Sequence, residues 1–214
     1  MTKELWIALA VAVVVAIWAF PGGGVTAETA VKLPPPAQDL QAPPQAAQET
    51  VVFAGGCFWG VQAVFQHTRG VVNAVSGYSG GSQETATYQS IGSGRTGHAE
   101  AVQVTYDPKL VSYGKLLQIY FSVAHDPTQL NRKQVAERYI AQLDAAKVFP
   151  KKIVTELTPL SAFYPAEDYH QDYATRHPNQ PYIAMFDRPK IANLKALMPE
   201  AFRETPVLVS SQPG

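Results

Sequence analysis

Cysteine is nearly absent from this 214-residue chain: Cys57 stands alone. A lone cysteine excludes an intramolecular disulfide, so no covalent cross-link stabilises the fold, and it leaves one thiol to be either reactive or a buried filler. Histidine is scarce as well, five residues without the spacing of a zinc site. Charge of one sign is missing: Lys+Arg and Asp+Glu both number 17, a formal net charge of zero. A broad nucleic-acid footprint needs a basic surplus against the phosphates, so that class of partner is not expected.

What is present suffices for a folded domain, since 46% of residues are hydrophobic and 16% charged. The first segment is different in kind. Residues 5–20, LWIALAVAVVVAIWAF, form an unbroken apolar run. As a helix it would span about 24 Å, short of the roughly 30 Å hydrocarbon core of a bilayer. Pro21, three glycines and the small-residue site Val25-Thr26-Ala27 follow. That layout predicts a secretory signal peptide over residues 1–27, with an uncleaved, tilted inner-membrane anchor as the alternative. Either places the rest of the chain in a bacterial periplasm. Residues 28–49 are rich in Pro, Gln and Ala, with Pro34-Pro35-Pro36 and Pro43-Pro44. Few large apolar side chains are available there to offset ordering entropy, which predicts a semi-extended linker. A domain over residues 50–205 and a tail at 206–214 complete the organisation.

Within the domain, residues 50–54 read as a short apolar strand running into Gly55-Gly56. Val61, Val64 and Phe65 mark one face of a helix over 58–67. Strands are expected at 71–75, 101–106 and 152–157. The second alternates Ala101, Gln103 and Thr105 against Val102, Val104 and Tyr106. Ser112 is placed to cap a helix through Val123, and 133–148 carries apolar Val135, Ala136, Tyr139, Ile140, Leu143 and Ala146 on one face. Pro165 is expected to open another helix, where its missing N–H is not needed. Interleaved strands and helices indicate a layered α/β or α+β domain.

Cys57 falls where a strand ends, two glycines turn the chain and a helix begins. A helix N-terminus presents unpaired N–H groups and a partial positive charge, which favours thiolate over thiol. Phe58 and Trp59 follow, an aromatic wall beside the sulfur. On geometry alone a small buried filler is as good a reading of Cys57 as a nucleophile.

The surrounding motifs separate those readings. Gly56-Cys57-Phe58-Trp59-Gly60 resembles the active-site motif of the A-type peptide methionine sulfoxide reductases. Four further blocks resemble the family's in the same order: Gly77-Tyr78-Ser79-Gly80-Gly81, the GRTGHAE run at 94–100, the HDPTQLNR run at 125–132 and the PAEDYHQ run at 165–171. The resemblance covers most of residues 50–205. It implies an α+β fold, a two-layer sandwich with a mixed β-sheet flanked by helices around a ferredoxin-like core. It also implies reduction of the S epimer of methionine sulfoxide, in proteins or as the free amino acid, with no metal or organic cofactor.

The roles it implies are chemically coherent. A sulfoxide sulfur becomes electrophilic once its oxygen is protonated or strongly hydrogen-bonded. Cys57 attacks that sulfur, oxygen leaves as water, and a cysteine sulfenic acid remains. Glu100 supplies the proton, which requires a pKa raised by burial. Tyr88 hydrogen-bonds the oxygen, and Phe58 and Trp59 hold the substrate methyl group. Without a second cysteine the sulfenic acid needs an external thiol reductant, such as a thioredoxin-like protein, and a monomer is expected. Read without the resemblance, Glu100 is an exposed acid at a strand edge and Tyr88 a surface or core-rim aromatic. His98, His125 and His170 read as structural hydrogen-bonders, and the glycines of GYSGG as turn formers.

One departure stands out. In the family the Asn-Arg closing the HDPTQLNR block leads into a glycine-rich turn with an aspartate, then a tyrosine, arginine and serine entering a strand. Here Asn131-Arg132 runs straight into Lys133-Gln134-Val135, so about one strand and its loops are missing. Tyr139 falls on a helix face and does not replace the lost tyrosine. A catalytically impaired or non-catalytic binding module that keeps the fold is therefore the rival reading. A peroxide-sensing thiol is a weaker one, since no arginine-rich thiolate pocket is evident.

Overall fold

A computed structural model of the chain describes residues 30–40, 47–124, 134–149, 153 and 162–209. The expected signal segment, most of the expected strand at 152–157 and the junction at Arg132 lie outside the described residues.

The centre is a four-stranded sheet: β1 (Glu49–Ala54), β2 (Val71–Ser79), β3 (Ala99–Tyr106) and β4 (Tyr164–Pro165), in the order β1-β3-β2-β4. Every pairing among the described strands is antiparallel. Because β1 and β2 both run against β3, they are parallel to each other, and the helix α1 (Phe58–Gln66) joins them across the inserted strand. This split β-α-β unit, with helices against the sheet, is the expected α+β architecture.

The strands form where β-branched and aromatic residues alternate with polar ones. In β3, Val102, Val104 and Tyr106 are buried while Gln103 and Thr105 are half-exposed. The buried row meets Val51 and Phe53 of β1, and α1 lays Phe58, Val61, Val64 and Phe65 onto it. Phe53 stacks on Phe65 at 4.7 Å and on Tyr120 at 4.8 Å. Each such side chain contributes about 1.5–3 kcal/mol by leaving water.

α1 is buried on nearly every side, because α5 (Tyr173–Arg176) and α6 (Arg188–Leu197) pack on it opposite the sheet. Ser112 caps α3 (Tyr113–Ile119) as expected, its hydroxyl accepting from the Lys115 N–H at 3.1 Å. One π-helical turn, Tyr120–Ala124, extends it. α4 (Gln134–Ala145) buries Tyr139 and Leu143.

Two sequence expectations are corrected. Pro165 does not open a helix. It pairs with Gly77 in β4, an edge strand where a residue without an N–H is tolerated, and helical turns begin only at Asp168. The stretch expected as a linker is extended over residues 30–40 but lies against the domain. Leu33 is 1% exposed, and its carbonyl accepts from the Gln118 side chain at 2.6 Å. The Tyr139 hydroxyl donates to the Pro34 carbonyl at 2.6 Å, and Asp39 accepts from the Gly114 N–H at 2.7 Å. One deeply buried leucine and backbone hydrogen bonds compensate for the low apolar content that had suggested a free segment.

Candidate active site

β1 ends at Ala54, and Gly55 and Gly56 swing the chain into α1 with φ of 145° and 65°, values that glycine adopts without a Cβ penalty. Cys57 is thereby the N-cap residue of α1. The other glycine of the motif, Gly60, has the buried Asp187 carboxylate packed where a Cβ would stand.

The alternation of β3 delivers Glu100. It shares the inward face with Val102, Val104 and Tyr106 and lies one residue beyond the Ala54–Ala101 pair, where β1 has run out. Its carboxylate there accepts the N–H of Phe58 at 2.8 Å, one of the donors that a helix start leaves free. Burial raises its pKa above the usual carboxylate range, partly offset by that hydrogen bond. The exposed-acid reading of Glu100 is thus not what the structure has.

Cys57, Trp59, Tyr88 and Glu100 meet around one pocket of about 660 Å³, together with Gly55, Gly56, Gln180 and Tyr182. Tyr88 opens α2 (Tyr88–Ile91), capped by the Thr87 side chain, and the residue is 42% exposed at the pocket mouth. Trp59 stacks on Tyr173 at 4.0 Å, and its indole N–H donates to His170 Nδ1 at 3.1 Å. Phe58 is buried and stands behind the pocket, 6.3 Å from the Trp59 ring and 5.0 Å from His170. It backs the aromatic wall rather than facing the cavity.

The thiol does not behave as its position at a helix start suggested. Burial pushes the Cys57 pKa up to about 11, helped by the negative charges of Asp187 and Glu100. The Trp59 backbone N–H and the Tyr182 hydroxyl pull it down, but less. A helix terminus contributes about 0.3–1 kcal/mol, below the ~1.4 kcal/mol that moves a pKa by one. Desolvation wins, and the resting site holds a thiol.

Other sequence readings fall into place. His98 is structural, its Nδ1 accepting from the Gly81 N–H at 3.2 Å and its Nε2 lying 2.8 Å from the Ser82 carbonyl. Gly80 turns at φ 113°, the role expected of GYSGG. His125 lies outside the described residues. Tyr182, Gln180 and Asp187 escaped the sequence reading. They sit on a segment without periodicity or recognisable chemistry, and only the packing of residues 180–187 on α1 brings them to the sulfur. A second hollow of about 700 Å³, lined by Arg69, Leu110, Lys115 and Arg203, lies beyond the far end of α1.

Comparison with known proteins bears on the family and the fold. The peptide methionine sulfoxide reductase family model matches residues 49–135 and 131–201. A peptide methionine sulfoxide reductase of Mesorhizobium japonicum is 55% identical over 183 positions, taking in 76% of this chain and 94% of its own length. One of Deinococcus radiodurans is 45% identical, over 71% of this chain and 83% of its own. Among solved structures, methionine sulfoxide reductase A of Corynebacterium diphtheriae is 32% identical, with a TM-score of 0.52, covering 64% of this chain and 78% of that one. The Mesorhizobium alignment also bears on the gap. Its share of this chain is about 163 residues, so about 20 of its positions have no counterpart here. The two matched stretches of the family model meet at residues 131–135, where the missing strand was read from sequence. The chain belongs to the peptide methionine sulfoxide reductase family.

Proposed function

We propose that this protein reduces methionine sulfoxide to methionine, with Cys57 as nucleophile. The observation that carries the reading is the convergence of Cys57, Glu100, Tyr88 and Trp59 on one pocket. Trp59 and its backing Phe58 hold the sulfoxide methyl group, and Tyr88 and protonated Glu100 hydrogen-bond the oxygen.

Since Cys57 rests as a thiol, its proton must leave before or during attack, and Glu100 is the neighbouring base. With that proton on Glu100, the sulfur of Cys57 bonds to the substrate sulfur while Glu100 protonates the substrate oxygen. A second proton from solvent releases that oxygen as water. Water then adds to the Cys57 sulfur and methionine departs with the S–S electron pair, leaving a sulfenic acid. The substrate sulfur gains two electrons and Cys57 loses two. An external thiol condenses with the sulfenic acid, and a second thiol frees Cys57 from the mixed disulfide. The Tyr182 hydroxyl, hydrogen-bonded to Cys57, steadies the sulfur while it carries charge.

The relatives' names favour this reading over a non-catalytic binding module. Action on the S epimer, export to the periplasm by the 1–27 segment and a thioredoxin-like donor belong to the same proposal. Turnover of N-acetyl-methionine S-sulfoxide with dithiothreitol, and its loss in folded Cys57→Ser, tests the reading. Equal turnover by Cys57→Ser overturns it.

A further inference from the structure

Residues 166–172 carry more polar contacts than a connector needs. Gln171 is pinned to β2 through Ser76, its amide donating to the Ser76 carbonyl at 2.9 Å and accepting from the Ser76 N–H at 3.0 Å. The buried Gln62 of α1 donates to the same Gln171 oxygen at 2.9 Å and accepts from the Asp172 N–H at 3.0 Å. Asp172, held at φ 58°, accepts from Gln66 of α1 at 2.7 Å. The segment is therefore fastened to both layers of the fold.

From that fixed base two side chains reach the walls of the pocket. Glu167 accepts from the Tyr78 hydroxyl at 2.7 Å and from the Tyr88 N–H at 3.1 Å, which ties down the start of α2. His170 is 2% exposed, 4.5 Å from the Tyr88 ring and 5.0 Å from Phe58, and takes the Trp59 indole N–H on Nδ1. Stacking on Tyr173 sets the plane of the Trp59 ring, and the N–H···N bond is the directed contact that orients the indole within that plane. An indole N–H only donates, so His170 Nδ1 must accept, and the neutral ring carries its proton on Nε2. Burial of the ring favours that neutral form.

We propose that His170 is a positioning residue for sulfoxide binding: it fixes the Trp59 indole in the methyl-binding wall, and residues 166–172 set its place relative to Tyr88. The proposal rests on the reading of this pocket as the sulfoxide site. It separates two effects of the wall, since misplacing Trp59 weakens capture of the methyl group while Cys57 and Glu100 remain unaltered.

The test uses the full chain, N-acetyl-methionine S-sulfoxide and dithiothreitol. His170→Leu fills the space but accepts nothing. His170→Asn restores an acceptor near the Nδ1 position. KM is expected to rise roughly tenfold in His170→Leu with kcat changed by less than about threefold, and to recover in His170→Asn, as loss and rescue of one directed hydrogen bond requires. The Trp59 indole N–H resonance, assigned by its loss in Trp59→Phe, should shift in the leucine variant and return in the asparagine one. An unchanged KM in His170→Leu, or no rescue by His170→Asn, overturns the proposal. Should His170→Leu not fold, ¹⁵N spectra of the unaltered chain decide: a neutral His170 protonated on Nε2 is required, and an Nδ1-protonated ring contradicts it. Absence of turnover in the unaltered chain would strike the reductase reading, while the spectra still judge the Trp59–His170 bond.

Discussion

At the scale of single residues, the site runs on two groups whose proton affinities are both raised. Glu100 holds its proton above the usual carboxylate range, and Cys57 holds its own up to about 11. Productive chemistry needs Glu100 protonated and Cys57 deprotonated, which is one proton shared by the pair. Below the Glu100 pKa both groups are protonated and thiolate disappears; above about pH 11 both are deprotonated and the acid disappears. The pH profile of kcat/KM should therefore be level between those limits and fall on either side. Glu100→Gln removes the acid and should slow turnover by about 10²–10⁴-fold, with kcat/KM now rising with pH toward the Cys57 pKa and no alkaline fall. A Glu100→Gln enzyme with the parental profile would contradict the assignment. Glu100 was half-legible in the sequence. The period-two row of Val102, Val104 and Tyr106 already places it inward, although a charged residue at a strand end reads most simply as exposed. The raised thiol was not legible, because it depends on burial and on Asp187, which is 130 residues distant in sequence.

At the scale of elements, local chemistry wrote most of what can be read. The two glycines before Cys57, the Ser112 cap and the β3 alternation all formed as their residues dictate. Pro165 did not, because its conformation suits a helix start and an edge strand equally, and only pairing with Gly77 chose between them. The segment 30–39 is the other instance. Its Pro- and Ala-rich composition, with few large apolar side chains, predicts no core, yet Leu33 inserts fully and Tyr139 of α4 donates to the Pro34 carbonyl. This segment straps α3 and α4 together. Leu33→Ala should lower the unfolding free energy by about 2–5 kcal/mol, the range for emptying a leucine site, with KM unaltered because the strap lies away from the pocket. Denaturant unfolding measures this, and a loss below about 0.5 kcal/mol, typical of surface changes, would mean the strap is not part of the stable core.

At the scale of the whole molecule, the fold class and the thiol chemistry follow from five sequence blocks, and the pocket walls from packing between segments far apart in the chain. The Mesorhizobium relative has about 20 positions without a counterpart here, while Cys57, Glu100, Tyr88 and Trp59 all remain. The export proposal makes a separate prediction. Expressed in a bacterium, the protein should fractionate with the periplasm beginning at Glu28, or with the inner membrane at full length. Full-length protein in the cytoplasmic fraction would remove that part of the account.

The central claim is that the sulfur of Cys57 takes the substrate's oxidising equivalents itself. Without reductant, one equivalent of N-acetyl-methionine S-sulfoxide mixed with the reduced protein should yield one equivalent of N-acetyl-methionine. Intact-mass and peptide analysis should then find one added oxygen on Cys57. Stoichiometric methionine formation with Cys57 left unoxidised, or the same yield from a folded Cys57→Ser protein, would contradict it.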